Sequence, residues 1–140
     1  MPTLLGLAGV ATPASMDGAD LSSFLLNGET GGRATLLMEY VGAGTVVRYE
    51  HAEDATNNTF RAVRVLDADR DLKYVEFTSS EADWNFTAPP QEYELFDLST
   101  DPYELINVYA AADPSLLGRL HAEVVRLYRC RGQEGCDSPF

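Results

Sequence analysis

The sequence predicts an α+β fold: a small antiparallel β-sheet of about four strands, packed by a C-terminal helix and preceded by short helices. Three observations predict it. Residues 35–98 contain segments that alternate between polar and apolar side chains or are rich in β-branched residues. Residues 113–130 carry apolar side chains at helical spacing. A chain of 140 residues with 45% hydrophobic residues is long enough for one domain with its own core.

The first 34 residues predict two short helices. Pro2 suits the first turn of a helix, which the Thr12-Pro13 pair then ends. Asp20 can cap a second helix, which stops at Asn27-Gly28 because glycine accepts the left-handed backbone of a helix end.

Four strands are predicted after this region, at 35–41, 59–66, 72–78 and 93–98. The five residues 67–71 fit a hairpin loop, whereas 42–58 is long enough to be a functional or disordered loop.

The last predicted element is a helix that runs to about Cys130. Asp113 is placed to cap it and Pro114 to occupy its first position. Its apolar residues share one face that would lie on the sheet, namely Leu117, Leu120, Val124, Leu127 and Tyr128.

The chain is strongly acidic. It has 10 Lys and Arg against 22 Asp and Glu, a net charge of −12. This charge repels phosphate backbones and anionic lipids, so neither nucleic acid nor a membrane surface is an expected partner. The longest apolar stretch, residues 4–14, is shorter than the ~20 residues of a membrane span. No Lys or Arg precedes it, so it does not predict a signal peptide.

No self-sufficient catalytic or metal site is predicted. Asp67, Asp69 and Asp71 have the opening spacing of a calcium loop, but the required glycine and glutamate do not come after them, so a solvated hairpin tip is the preferred interpretation. The two histidines, His51 and His121, lack the i, i+4 partner of a helical zinc site.

Two features are typical of secreted proteins. Asn57-Asn58-Thr59 and Asn85-Phe86-Thr87 are glycosylation acceptor triplets, with Asn57 and Asn85 as the modified residues. Cys130 and Cys136 enclose a short glycine-containing loop, where a disulfide is favoured over two free thiols if the chain is secreted.

The acidic stretch 101–107 has two interpretations. A catalytic pair of carboxylates is one. A structural turn is favoured, in which Pro102 fixes the backbone, Leu105 anchors to the core and Asn107 acts as a cap.

Several segments line up in order with one family: Met16-Asp17-Gly18, Leu26-Asn27-Gly28, Leu37-Met38-Glu39-Tyr40, Asn57-Asn58-Thr59-Phe60, Glu94-Leu95-Phe96-Asp97-Leu98 and the stretch 101–107. Together they resemble the C-terminal part of the type I sulfatases. Residues 57–60 and the terminal cysteine pair resemble in particular the N-acetylglucosamine-6-sulfatases.

The resemblance implies a domain organisation and a function. Residues 1–34 would be the end of the large α/β domain with its linker, and 35–140 the C-terminal subdomain beside the active-site cleft. The parent enzyme would be a lysosomal or extracellular sulfuric ester hydrolase that acts on 6-sulfated glucosamine units of heparan- or keratan-type glycans. The N-terminal sulfatase domain and the sulfated glycan are the implied partners.

The resemblance also implies that this chain is inactive alone. Family members carry a Cys/Ser-x-Pro/Ala-x-Arg motif that is converted to formylglycine, and acidic residues that hold calcium. Neither Cys130 nor Cys136 lies in such a motif, so both cofactors are expected only in the full-length parent family. An exposed apolar surface is expected where the large domain would cover Leu4, Leu5, Phe24 and Leu25. The alternative is a stand-alone acidic binding or interaction module derived from the subdomain.

Contacts to a sulfated sugar would come from cations and polar groups, for which the candidates are Arg33, Glu39, His51, Asn58 and Arg64. The planar guanidinium group of arginine matches a sulfate or carboxylate, and a glutamate accepts a hydrogen bond from a sugar hydroxyl. For each candidate the alternative is a structural role.

Overall fold

A computed structural model describes residues 1–28, 33–42, 44–45, 53–79, 87–137 and 140, with backbone only at 44–45 and 53–54. Its strands are β1 Thr35–Tyr40, β2 Gly44–Thr45, β3 Glu53–Asp54, β4 Thr59–Leu66, β5 Asp71–Thr78 and β6 Glu92–Asp97. Strands β1, β4, β5 and β6 form an antiparallel sheet in that order, and β2 pairs with β3. The predicted α+β class is confirmed.

The helices are α1 Pro2–Leu7, α2 Ser22–Asn27, α3 Pro114–Arg129 and α4 Gly132–Cys136, with a 3₁₀ turn at Tyr109–Ala111. In α3, Asp113 caps the helix as predicted, because its carboxylate accepts a hydrogen bond from the Ser115 amide at 3.0 Å. None of the described helices is both long and apolar enough to cross a membrane.

The core lies between α3 and one face of the sheet. The strand period of two puts Val63 of β4 and Tyr74 of β5, which are directly paired, on the same face. From α3, Leu120, Val124 and Leu127 pack against this face. The helical spacing and the strand alternation therefore identify the same contact surface from its two sides.

The hairpin between β4 and β5 has the predicted solvated tip. The Asp67 amide donates to the Arg70 carbonyl oxygen at 2.9 Å, which closes the turn. The Asp67 carboxylate accepts bonds from the Asp69 amide and the Arg70 side chain, so its charge is used within the hairpin. The Arg70 hydrogen bond lowers the pKa of Asp67 below its usual range.

Residues 101–107 agree with the structural interpretation, with one correction. Asn107 accepts hydrogen bonds from the amides of Leu95 and Tyr109 and donates to the Tyr93 carbonyl oxygen, which fixes the segment to β6. The prediction that Leu105 anchors to the core is wrong, because its side chain is 79% exposed. The chain rejoins the edge of β6 only at Asn107, so residues before it face solvent.

Helices α1 and α2 leave apolar side chains uncovered. Leu4, Phe24 and Leu25 are exposed, as expected, whereas Leu5 is half-buried. The carboxylate of Asp20 accepts a hydrogen bond from the Ser22 amide at 2.8 Å, although the residue at the cap position is Leu21.

Candidate functional site

Two predicted sugar-contact residues, Arg33 and Glu39, line the same cavity. It has a volume of about 540 Å³ and lies beside β1, the end of α3 and the disulfide loop. Tyr128, Arg129 and Arg131 also line it. The fold thus brings together residues that are widely separated in sequence.

Arg33 ties the N-terminal segment to the C-terminal loop. Its guanidinium group pairs with the Asp137 carboxylate and donates to the Asp17 carbonyl oxygen. The Asp17 carboxylate in turn accepts a hydrogen bond from the Gly132 amide at 2.6 Å. These bonds hold Arg33 at the wall of the cavity, and they use two of the five N–H donors of its guanidinium group.

Glu39 belongs to a small network with Arg61 and Tyr128. The Arg61 Nε donates to Glu39 Oε1 at 2.7 Å, and the register of β1 and β4 pairs the two residues directly. The Arg61 guanidinium lies 3.2 Å from the centroid of the Tyr128 ring. The side chain of Glu39 is 42% exposed. A carboxylate accepts several hydrogen bonds, so Glu39 can also bind a hydroxyl group.

Arg64 lies on the other face of the sheet from this network. It is three residues after Arg61 on β4, and an odd separation along a strand places two side chains on opposite faces. Its two bonds to Asp71, each 2.8 Å, form a bidentate pair that lowers the pKa of Asp71. The structure therefore does not bring Arg64 together with Arg33 and Glu39.

Asn57 and Asn58 are not among the residues that line this cavity. Asn57 and Asn58 are exposed in the turn before β4, where the Asn58 amide donates to the Ala55 carbonyl oxygen at 2.9 Å. His51 and Asn85 lie outside the described residues.

The predicted disulfide between Cys130 and Cys136 is present, with an S–S distance of 2.06 Å. It connects the end of α3 to the end of α4. Gly132 begins α4 with a φ of +70°, and a Cβ atom there would lie 2.5 Å from the Ala14 carbonyl oxygen. Glycine is therefore required at this position by both backbone conformation and contact.

Substitution of Gly132 by alanine is expected to lower the free energy of unfolding by about 2 kcal/mol, because it adds left-handed backbone strain and a clash. The matched control is Gly135→Ala in the same short helix, where a Cβ meets nothing within 4 Å. Urea denaturation of both variants measures the difference. Equal stability of the two variants would show that the Ala14 contact does not constrain the loop.

Sequence reasoning missed a buried carboxylate. Glu76 is 5% exposed, accepts a hydrogen bond from the Tyr74 hydroxyl at 2.9 Å, and lies 2.6 Å from His121 Nδ1. Burial, followed by the charge of Glu76, raises the pKa of Tyr74 strongly. The alternation of β5, which puts Glu76 on the same face as Tyr74, could have identified it. Tyr74 and His121 thus supply hydrogen-bond partners for the buried Glu76 carboxylate, and the His121 contact connects α3 to β5.

The described residues do not fit the cofactors that the resemblance implies. They contain no group of three or more His, Cys, Asp or Glu side chains able to hold a metal ion. Both cysteines are in the disulfide, so neither is the residue that is converted to formylglycine. No catalytic step is assigned to this chain.

Comparison with known proteins gives consistent matches to one enzyme class. The N-acetylglucosamine-6-sulfatase of Homo sapiens is 30% identical over 156 residues, covering 99% of this chain and 26% of the relative. The Bos taurus protein of the same name is 29% identical with the same coverage. An arylsulfatase of Chlamydomonas reinhardtii is 29% identical over 99% of this chain and 22% of its own length.

The chain is related to the sulfatases. The resemblance stated from its motifs is confirmed, and the coverage is consistent with the C-terminal part of a sulfatase. The chain spans about a quarter of the length of these relatives. No protein-family model matches it.

Proposed function

We propose that this chain is the C-terminal subdomain of a sulfatase that acts on glycans containing 6-sulfated N-acetylglucosamine. One observation carries the proposal: the matches cover 99% of this chain but 26% of the N-acetylglucosamine-6-sulfatases. Residues 35–140 would be the subdomain, and residues 1–34 the end of the large domain. The calcium ion and the formylglycine nucleophile would belong to the large domain.

The exposed residues of α1 and α2 support this division. Leu4, Phe24 and Leu25 are each more than half exposed, at 62%, 51% and 61%. Several exposed apolar side chains on two short helices are typical of a surface that another domain covers. We propose that the large sulfatase domain covers them in the full-length enzyme.

The same proposal includes a lysosomal or extracellular location. The disulfide supports it, because disulfides persist in oxidising compartments. The exposed Asn57 of an acceptor triplet is consistent with glycosylation there.

The proposal predicts that the purified 140-residue chain does not hydrolyse 4-nitrocatechol sulfate, with or without added calcium. The expected rate equals that of buffer, because the nucleophile would belong to another part of the enzyme. A full-length N-acetylglucosamine-6-sulfatase in the same assay is the positive control. Turnover that increases with the concentration of the chain and persists through purification would contradict the proposal.

A further inference from the structure

Two thirds of the cationic side chains that the structure describes are paired with the protein's own carboxylates. Six of the nine Lys and Arg side chains that the structure describes form an ion pair with Asp or Glu. The three without a carboxylate partner in the described part of the chain are Arg119, Arg129 and Arg131. Arg119 lies 5.3 Å from the Phe140 ring centroid. The other two line one cavity.

This cavity is lined by three arginines and two carboxylates, in a chain whose net charge is −12. Arg129 is the last residue of α3, and Arg131 comes directly after Cys130, so the disulfide fixes the backbone between them. Arg131 donates one bond, to the Cys130 carbonyl oxygen at 2.8 Å. Favourable interaction with the end of the helix dipole accounts for Arg129 but not for Arg131, which lies outside α3.

Both carboxylates in the cavity wall have hydrogen-bond partners other than Arg129 and Arg131. Asp17 accepts the Gly132 amide, and Glu39 accepts the Arg61 guanidinium. Arg129 and Arg131 are therefore available for an anion that comes from outside the chain. Two exposed arginines that line one cavity suit a sulfate or a carboxylate group, which they bind by charge-assisted hydrogen bonds.

Other features of the wall suit a sugar ring. Glu39 can accept a hydroxyl bond, and Tyr128 offers part of an aromatic ring whose position Arg61 fixes. A volume of about 540 Å³ is in the usual range of small-molecule sites, roughly 300–1,000 Å³. The cavity thus combines cations with hydrogen-bond acceptors and an apolar surface.

We propose that this cavity binds the anionic group, sulfate or carboxylate, of a glycan chain through Arg129 and Arg131. The choice of a glycan rests on the proposed function. The choice of an anion rests on the two cavity arginines that have no carboxylate partner among the described residues. Glu39 and Tyr128 contact the sugar that carries the anion.

The test is isothermal titration of the 140-residue chain with three tetrasaccharides. A heparin tetrasaccharide carries sulfates and carboxylates, a heparosan tetrasaccharide carries carboxylates alone, and chitotetraose is neutral. Binding of heparin alone identifies sulfate as the ligand group, and equal binding of heparosan identifies carboxylate. Both results support the site. Equal binding of chitotetraose, or no binding of either anionic probe, overturns it.

Substitutions locate the site. The double variant R129Q/R131Q is expected to weaken binding at least about tenfold, because each lost charge-assisted hydrogen bond contributes substantially. The matched control is Arg119→Gln. Arg119 also has no carboxylate partner among the described residues, but it does not line the cavity. Its substitution is expected to leave the affinity within about twofold. Equal weakening by the two, or unchanged binding by the double variant, overturns the assignment.

A measurement on the unmodified chain does not depend on how the variants fold. Titration of the heparin tetrasaccharide in NMR is expected to shift the backbone amides of residues 127–136 and of Glu39 and to leave the amide of Arg119 unchanged. Shifts confined to other regions overturn the site. Such a failure would leave the proposed sulfatase origin intact. That proposal is tested separately, by the sulfate-ester assay and by sequencing of the transcript upstream of Met1.

Discussion

Replacement of Leu120 by alanine is expected to lower the free energy of unfolding by about 2–5 kcal/mol. Leu120 of α3 is 0% exposed and packs against the core face of β4 and β5. Its truncation removes apolar contact and leaves a cavity that the surrounding strands cannot fill. Urea denaturation at neutral pH measures the loss.

The control for this prediction is Leu105→Ala, at the leucine that the sequence analysis placed in the core. Its side chain is exposed, so the expected change is within about 0.5 kcal/mol. If the two alanine variants lost the same stability, the assignment of Leu120 to the core and Leu105 to the surface would be wrong.

The second large effect is expected at the buried Glu123. Burial acts to raise the pKa of Glu123, but hydrogen bonds from Arg126 and Thr35 outweigh it, and the pKa is lowered. Arg126 donates two bonds at 2.8 and 2.7 Å, and the Thr35 hydroxyl donates one at 2.7 Å. Arg126→Gln removes the opposite charge. We expect a loss of about 2–3 kcal/mol at pH 7, less than for a fully buried pair because the arginine is partly exposed.

The pH dependence of this loss has a defined sign. A carboxyl group whose pKa is lower in the folded state stabilises the fold above its unfolded pKa, and this contribution disappears as the pH falls through its folded pKa. The stability difference between wild type and Arg126→Gln should therefore shrink as the pH falls towards and through the lowered pKa of Glu123 in the folded wild type.

Arg70→Gln is the matched control for the charge effect. Arg70 and Arg126 both pair with an acid three residues earlier, but the Asp67 side chain at the hairpin tip is 28% exposed whereas that of Glu123 is 5% exposed. Its loss is expected to be much smaller, because solvent screens exposed pairs. Equal losses in the two variants, or a difference for Arg126→Gln that grows on acidification, would contradict the account of Glu123.

Most of the fold could be predicted because its signals are local. The Asp113-Pro114 start of α3 depends on adjacent residues, and the third predicted strand, 72–78, differs from β5 by one residue. The error at Leu105 arose because an apolar residue in a turn carries no local information on which side of the backbone the core lies.

The site was less predictable because its contacts are long-range. The partner of Arg33 is 104 residues away, and no local pattern identifies Asp137 as that partner. Arg129 and Arg131 were missed as well, although their positions on both sides of Cys130 could have indicated a charged rim at the disulfide. The sheet register brought Glu39 to Arg61, and it likewise separated Arg64 from both.

The central claim, that this chain is the supporting part of a sulfatase whose reactive part lies elsewhere, is tested most directly by sequencing the native transcript upstream of the codon for Met1. The account predicts an open frame continuous with Met1 that encodes a Cys/Ser-x-Pro/Ala-x-Arg motif. An in-frame stop codon close upstream of Met1, with no such motif before it, would contradict the account and favour a stand-alone binding module.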